Sequence, residues 1–174
     1  MIARSHIESE RPAADGALAR GVRVLIIEAP YYAEISELLS AGARDVLNLQ
    51  SCTWDQLPVP GALEIPQAFA TVARSGEFGP QRRWQGVIAL GCVIRGETSH
   101  YDIVCNMANH WLMHTALENV VPVGNAILTV DTYEQARARA SGEDGGKGAH
   151  AARACLRLIA IADALARDSK GRAS

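Results

Sequence analysis

Apolar residues in this chain gather in short blocks, separated by stretches with helical spacing. Residues 22–27 (Val-Arg-Val-Leu-Ile-Ile) form a near-continuous apolar run, the pattern of a strand covered on both faces. Similar runs at 86–92 and 123–129 predict two more strands, and a weaker one at 51–57, broken by the turn residues 58–61, predicts a fourth. Helices are predicted over 32–48, 64–75, 101–119 and 148–167. In the third, Val104, Met107, Ala108, Trp111 and Leu112 recur at helical spacing and predict a buried stripe. In the last, Cys155, Leu156, Ile159, Ala162 and Leu165 or Ala166 predict the inward face. Residues 76–85 read as a polar connection and 141–146 as a glycine-rich loop, while Thr132 and Gln135 have capping-box spacing for a short helix between them. The alternation predicts an α/β fold with a four-stranded parallel sheet between two helical layers, an αβα sandwich. Residues 1–20 are expected to be a flexible N-terminal arm, 21–168 a single domain and 169–174 a C-terminal tail.

Bulk properties change this picture little. A chain of 174 residues, 48% apolar and 21% charged, suffices for one domain with a substantial core. A net charge of −2 gives no reason to expect nucleic acid or an anionic membrane as partner. No apolar run approaches the ~20 residues that span a bilayer, and residues 1–20 carry no apolar signal-peptide core, so a cytoplasmic protein is expected. Cys52, Cys92, Cys105 and Cys155 lie far apart without zinc-ligand spacing and read as reduced packing residues. His110 and His114 stand one helical turn apart, but no third ligand accompanies them, so no metal is expected.

Candidate chemistry concentrates at residues 91–102, Gly-Cys-Val-Ile-Arg-Gly-Glu-Thr-Ser-His-Tyr-Asp. An apolar strand runs into a glycine-punctuated polar loop and then directly into a helix. Ligands of open α/β sheets bind at the carboxyl ends of strands, and amides at a helix start favour an anion. The loop brings Arg95, Thr98, Ser99 and His100 to that edge, and His100 is its one side chain that titrates near neutral pH. An anion site beside a proton shuttle points to an enzyme acting on a small phosphorylated substrate. Taken singly, Arg95 also reads as a surface arginine, and Gly91 and Gly96 as turn residues.

This tract, together with Pro-Gly-Ala-Leu-Glu-Ile-Pro at 60–66, resembles the lumazine synthase family of riboflavin biosynthesis. Further matches follow in order: Asn-Ala-Ile-Leu-Thr-Val-Asp-Thr at 125–132, Glu-Gln-Ala at 134–136, Arg139, and Gly-Lys-Gly at 146–148. Together they span roughly residues 22–166. The resemblance implies the flavodoxin-like strand order, pentamers with active sites between neighbouring subunits, and in some members a decamer or an icosahedral shell of pentamers. It further implies a cofactor-free transferase reaction. In it, 5-amino-6-(D-ribitylamino)uracil condenses with 3,4-dihydroxy-2-butanone 4-phosphate to 6,7-dimethyl-8-ribityllumazine, releasing phosphate. Riboflavin synthase is the macromolecular partner such a product suggests.

Family roles carry over residue by residue. His100 matches the proton-shuttling histidine. Gly96, Glu97 and Thr98 match the phosphate loop, and Arg139 the phosphate-binding arginine that reaches in from the next subunit. Lys147 matches the basic residue beside the pyrimidine or the phosphate. Glu64 matches the carboxylate that binds the ribityl hydroxyls, with Ala62 and Leu63 lining the pocket. Val93 and Ile94 match the backbone that holds the pyrimidine edge. Tyr31 falls where the family stacks an aromatic ring on the pyrimidine, although Tyr32 adjoins it, and Arg137 is expected to be merely solvated. Leu63 and Asn125 stand where many members carry phenylalanine, which implies a smaller and more polar wall. Glu97 sets a negative charge in the phosphate loop. The alternative is a flavin- or lumazine-binding storage protein, or a shell subunit, that has lost turnover; retention of His100, Arg139 and Lys147 argues against it. An unrelated nucleotide binder fits poorly, because Glu-Ala-Pro at 28–30 replaces a phosphate-binding glycine loop.

Overall fold

A computed structural model describes residues 21–171. The expected arm at 1–20 lies outside the described residues, as does the end of the expected tail. Four strands, β1 (Arg23–Glu28), β2 (Thr53–Pro58), β3 (Gly86–Ile94) and β4 (Val123–Val130), alternate with the helices α1 (Ala33–Leu49), α2 (Glu64–Arg74) and α3 (His100–Asn119). After β4 come α4 (Tyr133–Ala140), a single 3-10 turn at Glu143–Gly145, and α5 (Gly146–Gly171). The strands are all parallel and lie in the order β2-β1-β3-β4, which is the flavodoxin-like arrangement.

Strand alternation assigns the layers. Val24, Ile26, Ile88, Leu90, Ala126 and Leu128 point to one face and pack under α1, α4 and α5. Leu25, Ile27, Val87, Ala89, Val123 and Ile127 point to the other and pack under α2 and α3. The inner strands β1 and β3 are therefore buried on both sides, which is why their sequences read as unbroken apolar runs. No helix among the described residues is long and apolar enough to cross a membrane, and none of their His, Cys, Asp and Glu side chains form a group able to hold a metal ion.

Several boundaries differ from expectation. β3 continues two residues past Cys92, because Val93 and Ile94 pair with Thr129 and Val130 of β4. β2 starts at Thr53, since Ser51 takes a left-handed conformation (φ 54°) to turn the chain out of α1. The predicted stripe on α3 is half right. Val104, Ala108 and Leu112 are buried, but Met107 and Trp111 are 42% and 48% exposed. On α5, Cys155, Leu156 and Ile159 are buried while Ala162, Leu165 and Ala166 are exposed, because the helix runs on beyond the sheet to Gly171.

Candidate active site

The chain leaves β1 for β2 on one side of the sheet and leaves β3 for β4 on the other. The carboxyl ends of β1 and β3 thus flank the switch point where such sheets bind ligands. A cleft of about 300 Å³ lies there, lined by Tyr31 and Tyr32 after β1, by Gly61, Ala62, Leu63 and Glu64 before and at the start of α2, and by Cys92, Val93, Ile94, His100 and Val104. Seven of the sequence-predicted residues thus meet: Tyr31, Ala62, Leu63, Glu64, Val93, Ile94 and His100.

Local structure explains each placement. The amide of Ala29 bonds the Leu90 carbonyl at 2.9 Å, and the amide of Tyr31 then closes a tight turn on Ala29 at 2.9 Å, leaving the Tyr31 ring 73% exposed over the cleft. The buried Glu28 anchors this turn by accepting hydrogen bonds from Ser36 of α1 and Gln56 of β2. A turn at 61–64, with the Glu64 amide on the Gly61 carbonyl at 3.1 Å, puts Glu64 first in α2. A side chain at position 61 would have its Cβ only 3.0 Å from the Glu64 Oε2, so glycine leaves that carboxylate room. His100 opens α3, with its amide directed at the Thr98 hydroxyl (3.4 Å).

The amides of Gly96, Glu97, Thr98 and Ser99 have no hydrogen-bond partner among the described residues, and the whole segment is exposed. It supplies donors beside a helix start, the arrangement that binds an anion. Arg95 does not join them. Its guanidinium bonds Asp131 at 2.9 Å and Asp102 at 3.3 Å and lies over the Tyr101 ring at 4.0 Å. The Asp131 hydrogen bond, with further help from Asp102, raises its pKa. Burial, aided by Cys105, pushes the Cys92 thiol up to about 11, so it lines the cleft as a neutral, inert group. Burial likewise raises the Tyr32 phenol, with smaller contributions from Cys92 and Tyr31.

Arg139 and Lys147 lie elsewhere. They line a separate basic cleft of about 460 Å³, between the end of α4 and the start of α5, with His150, Arg153, Glu143 and Asp144. Among the described residues, none lines both clefts. Asn125 sits on the outer edge of the sheet, where its amide donates to Asn109 at 2.7 Å and its carbonyl accepts from the Ile127 amide at 2.8 Å. Within one chain the predicted residues therefore fall into separate groups. Arg137 is solvent-exposed, as expected, and it also makes an ion pair: its Nε donates to Glu34 at 2.7 Å, and the Tyr133 hydroxyl donates to the other oxygen of Glu34 at 2.8 Å. Sequence reasoning missed Glu28, Glu34 and Tyr133. Glu34 pairs with partners 99 and 103 positions away, a separation that leaves no periodic signal.

A doubly wound parallel sheet with an aromatic wall, a carboxylate, a histidine and an exposed amide loop at its switch point defines a flavodoxin-like α/β enzyme. The particular family follows from comparison. The model of the 6,7-dimethyl-8-ribityllumazine synthase family matches residues 21–163, and the chain belongs to that family. It is 45% identical over 149 residues to the 6,7-dimethyl-8-ribityllumazine synthase of Azorhizobium caulinodans, covering 86% of this chain and 91% of the relative. Relatives of the same name from Methylorubrum extorquens (48% identity, 81% of each chain) and Beijerinckia indica (50% identity, 78% of this chain and 73% of the relative) are similarly close.

Proposed function

We propose that this chain joins 5-amino-6-(D-ribitylamino)uracil to 3,4-dihydroxy-2-butanone 4-phosphate, giving 6,7-dimethyl-8-ribityllumazine and inorganic phosphate, at sites completed by a neighbouring copy. The amine attacks the ketone and water leaves as the imine forms; phosphate is then eliminated, and ring closure releases a second water. The pyrimidine stacks on Tyr31, whose flat exposed face suits a flat heterocycle. The backbone of Val93 and Ile94 meets its edge, and Glu64 with the Ala62–Leu63 turn receives the ribityl hydroxyls. The amides of Gly96, Glu97 and Thr98 and the Thr98 hydroxyl hold the phosphate, with the Glu97 carboxylate turned into solvent. His100 relays protons between the condensing amine, the ketone oxygen and the departing phosphate.

The observation that carries this reading is the division of one chemistry between two clefts. The switch-point cleft holds the stacking wall, the carboxylate and the histidine, but among the described residues no Lys or Arg lines it. Arg139 and Lys147 lie in the other cleft of the same chain. Apposition of two copies would bring the second group, with Asn125, against the first. The exposed Ile103, Met107, Trp111 and Leu117 of α3 supply apolar surface for such a contact, and a closed ring, a pentamer by family resemblance, satisfies every copy equally. Further assembly into a decamer or shell, and pairing with riboflavin synthase, extend the same reading.

The test mixes the purified full chain with both substrates, without metal or nicotinamide, and follows lumazine absorbance and fluorescence. Product formation well above the uncatalysed condensation is expected. No excess over that background, with tight riboflavin binding, would establish a storage protein instead.

A further inference from the structure

An exposed tyrosine on a turn swings through several rotamers unless something packs behind it. Behind Tyr31 stands Tyr32, edge-on at 5.0 Å between ring centres and 73° between planes. Behind Tyr32 stands Tyr133 of α4, again edge-on, at 6.2 Å and 75°. The series ends in a charged group: the Tyr133 hydroxyl donates to one oxygen of Glu34 at 2.8 Å, and Arg137 donates to the other at 2.7 Å. Glu34 lies in the first turn of α1, two residues after Tyr32. One helix thus grips the tyrosine turn twice, through a ring contact and through a carboxylate.

We propose that Tyr133, Glu34 and Arg137 form a strap that fixes the Tyr31–Tyr32 wall, making these three the positioning residues for stacking of the pyrimidine. The proposal rests on the reading of the switch-point cleft as the pyrimidine site. Its electrostatics are consistent with a persistent strap. The hydrogen bond from Arg137, then that from Tyr133, holds the Glu34 carboxyl below the usual carboxylate range, while donation to Glu34 raises the Tyr133 phenol and keeps it a donor. Exposed ion pairs of this kind add little to global stability, so the consequence belongs to the geometry of the wall. Arg137 also stands two positions before Arg139, and α4 therefore carries the strap for its own cleft and the phosphate ligand offered to the neighbour.

The test is steady-state kinetics of Tyr133→Phe, Glu34→Gln and Arg137→Gln in the full chain, varying each substrate in turn. Tyr133→Phe keeps the ring and removes only the hydroxyl, so it disturbs the fold least. The expected result is a rise of roughly two- to tenfold in KM for the pyrimidine, the size of an aromatic contact. The KM for the butanone phosphate and the melting temperature should stay unchanged, and Arg137→Lys should recover part of the loss. Titration with the 5-nitro analogue of the pyrimidine, which lacks the attacking amine, should show the same weakening. This second readout does not depend on turnover, so failure of the strap is separable from failure of the reaction assignment. An unchanged pyrimidine KM, an equal rise in both KM values, or activity lost only in step with unfolding would overturn the strap. Failure of the unaltered protein to bind the analogue would overturn the pyrimidine site and the strap together.

Discussion

Two arginines show how local partners decide what a side chain can do. Arg95 sits in the most chemically loaded tract of the chain, yet Asp131 and Asp102 occupy its guanidinium. Arg139, in an unremarkable helical stretch, lines a basic cleft with Lys147. Arg139→Ala is therefore expected to raise KM for the butanone phosphate roughly 10–150-fold, the loss of one charge-assisted hydrogen bond, with a much smaller effect on KM for the pyrimidine. Equal effects, measured by varying each substrate in turn, would contradict the phosphate role. His100→Ala is expected to lower turnover by roughly one to two orders of magnitude: general acid–base groups contribute about 10²–10⁴-fold, and these two reactants condense slowly unaided. An unchanged rate would remove His100 from the mechanism. The place of His100 at the cleft was legible in the sequence because it is contiguous with one strand end. Glu34 was not, because its partners are distant in sequence and adjacent only in the fold.

The helical layer over one face of the sheet depends on close backbone approach. A Cβ on Gly148 would lie 1.9 Å from the Leu39 carbonyl oxygen of α1, and a Cβ on Gly124 of β4 would lie 2.0 Å from the Ala151 carbonyl oxygen of α5. Gly148→Ala must push α5 away from α1, so a loss of at least about 1–3 kcal/mol is expected, the usual cost of overpacking. Chemical denaturation measures it, and a variant as stable as the parent would show that α5 shifts without cost. Because Lys147 adjoins Gly148, the same change should also disturb the basic cleft. Among the elements, the inner strands were the most legible, since burial on both faces leaves no polar alternation to misread. Helix α3 was misread at Met107 and Trp111, because helical spacing identifies an apolar face without saying whether it meets the core or another molecule. The end of α5 was misread for a related reason: alanines and leucines sustain a helix beyond the sheet it packs on.

At the scale of the whole molecule, family membership and the four-stranded parallel sheet agree with the order of motifs along the chain. The resemblance already implied that Arg139 reaches in from a neighbouring copy, whereas the order of motifs alone could not, because linear proximity carries no information about which copy supplies a group. The central claim is that a working site needs the His100 cleft of one copy and the Arg139 cleft of another. Its most direct test co-assembles His100→Ala and Arg139→Ala chains and assays lumazine formation at butanone phosphate concentrations well below KM, where each variant alone is strongly impaired, after mass spectrometry has verified mixed rings. With equal random mixing, about a quarter of the interfaces pair two intact halves, so activity should return to roughly a quarter of that of the unaltered protein. Mixed rings that remain as inactive as either variant alone would contradict the account and assign both groups to sites within single chains.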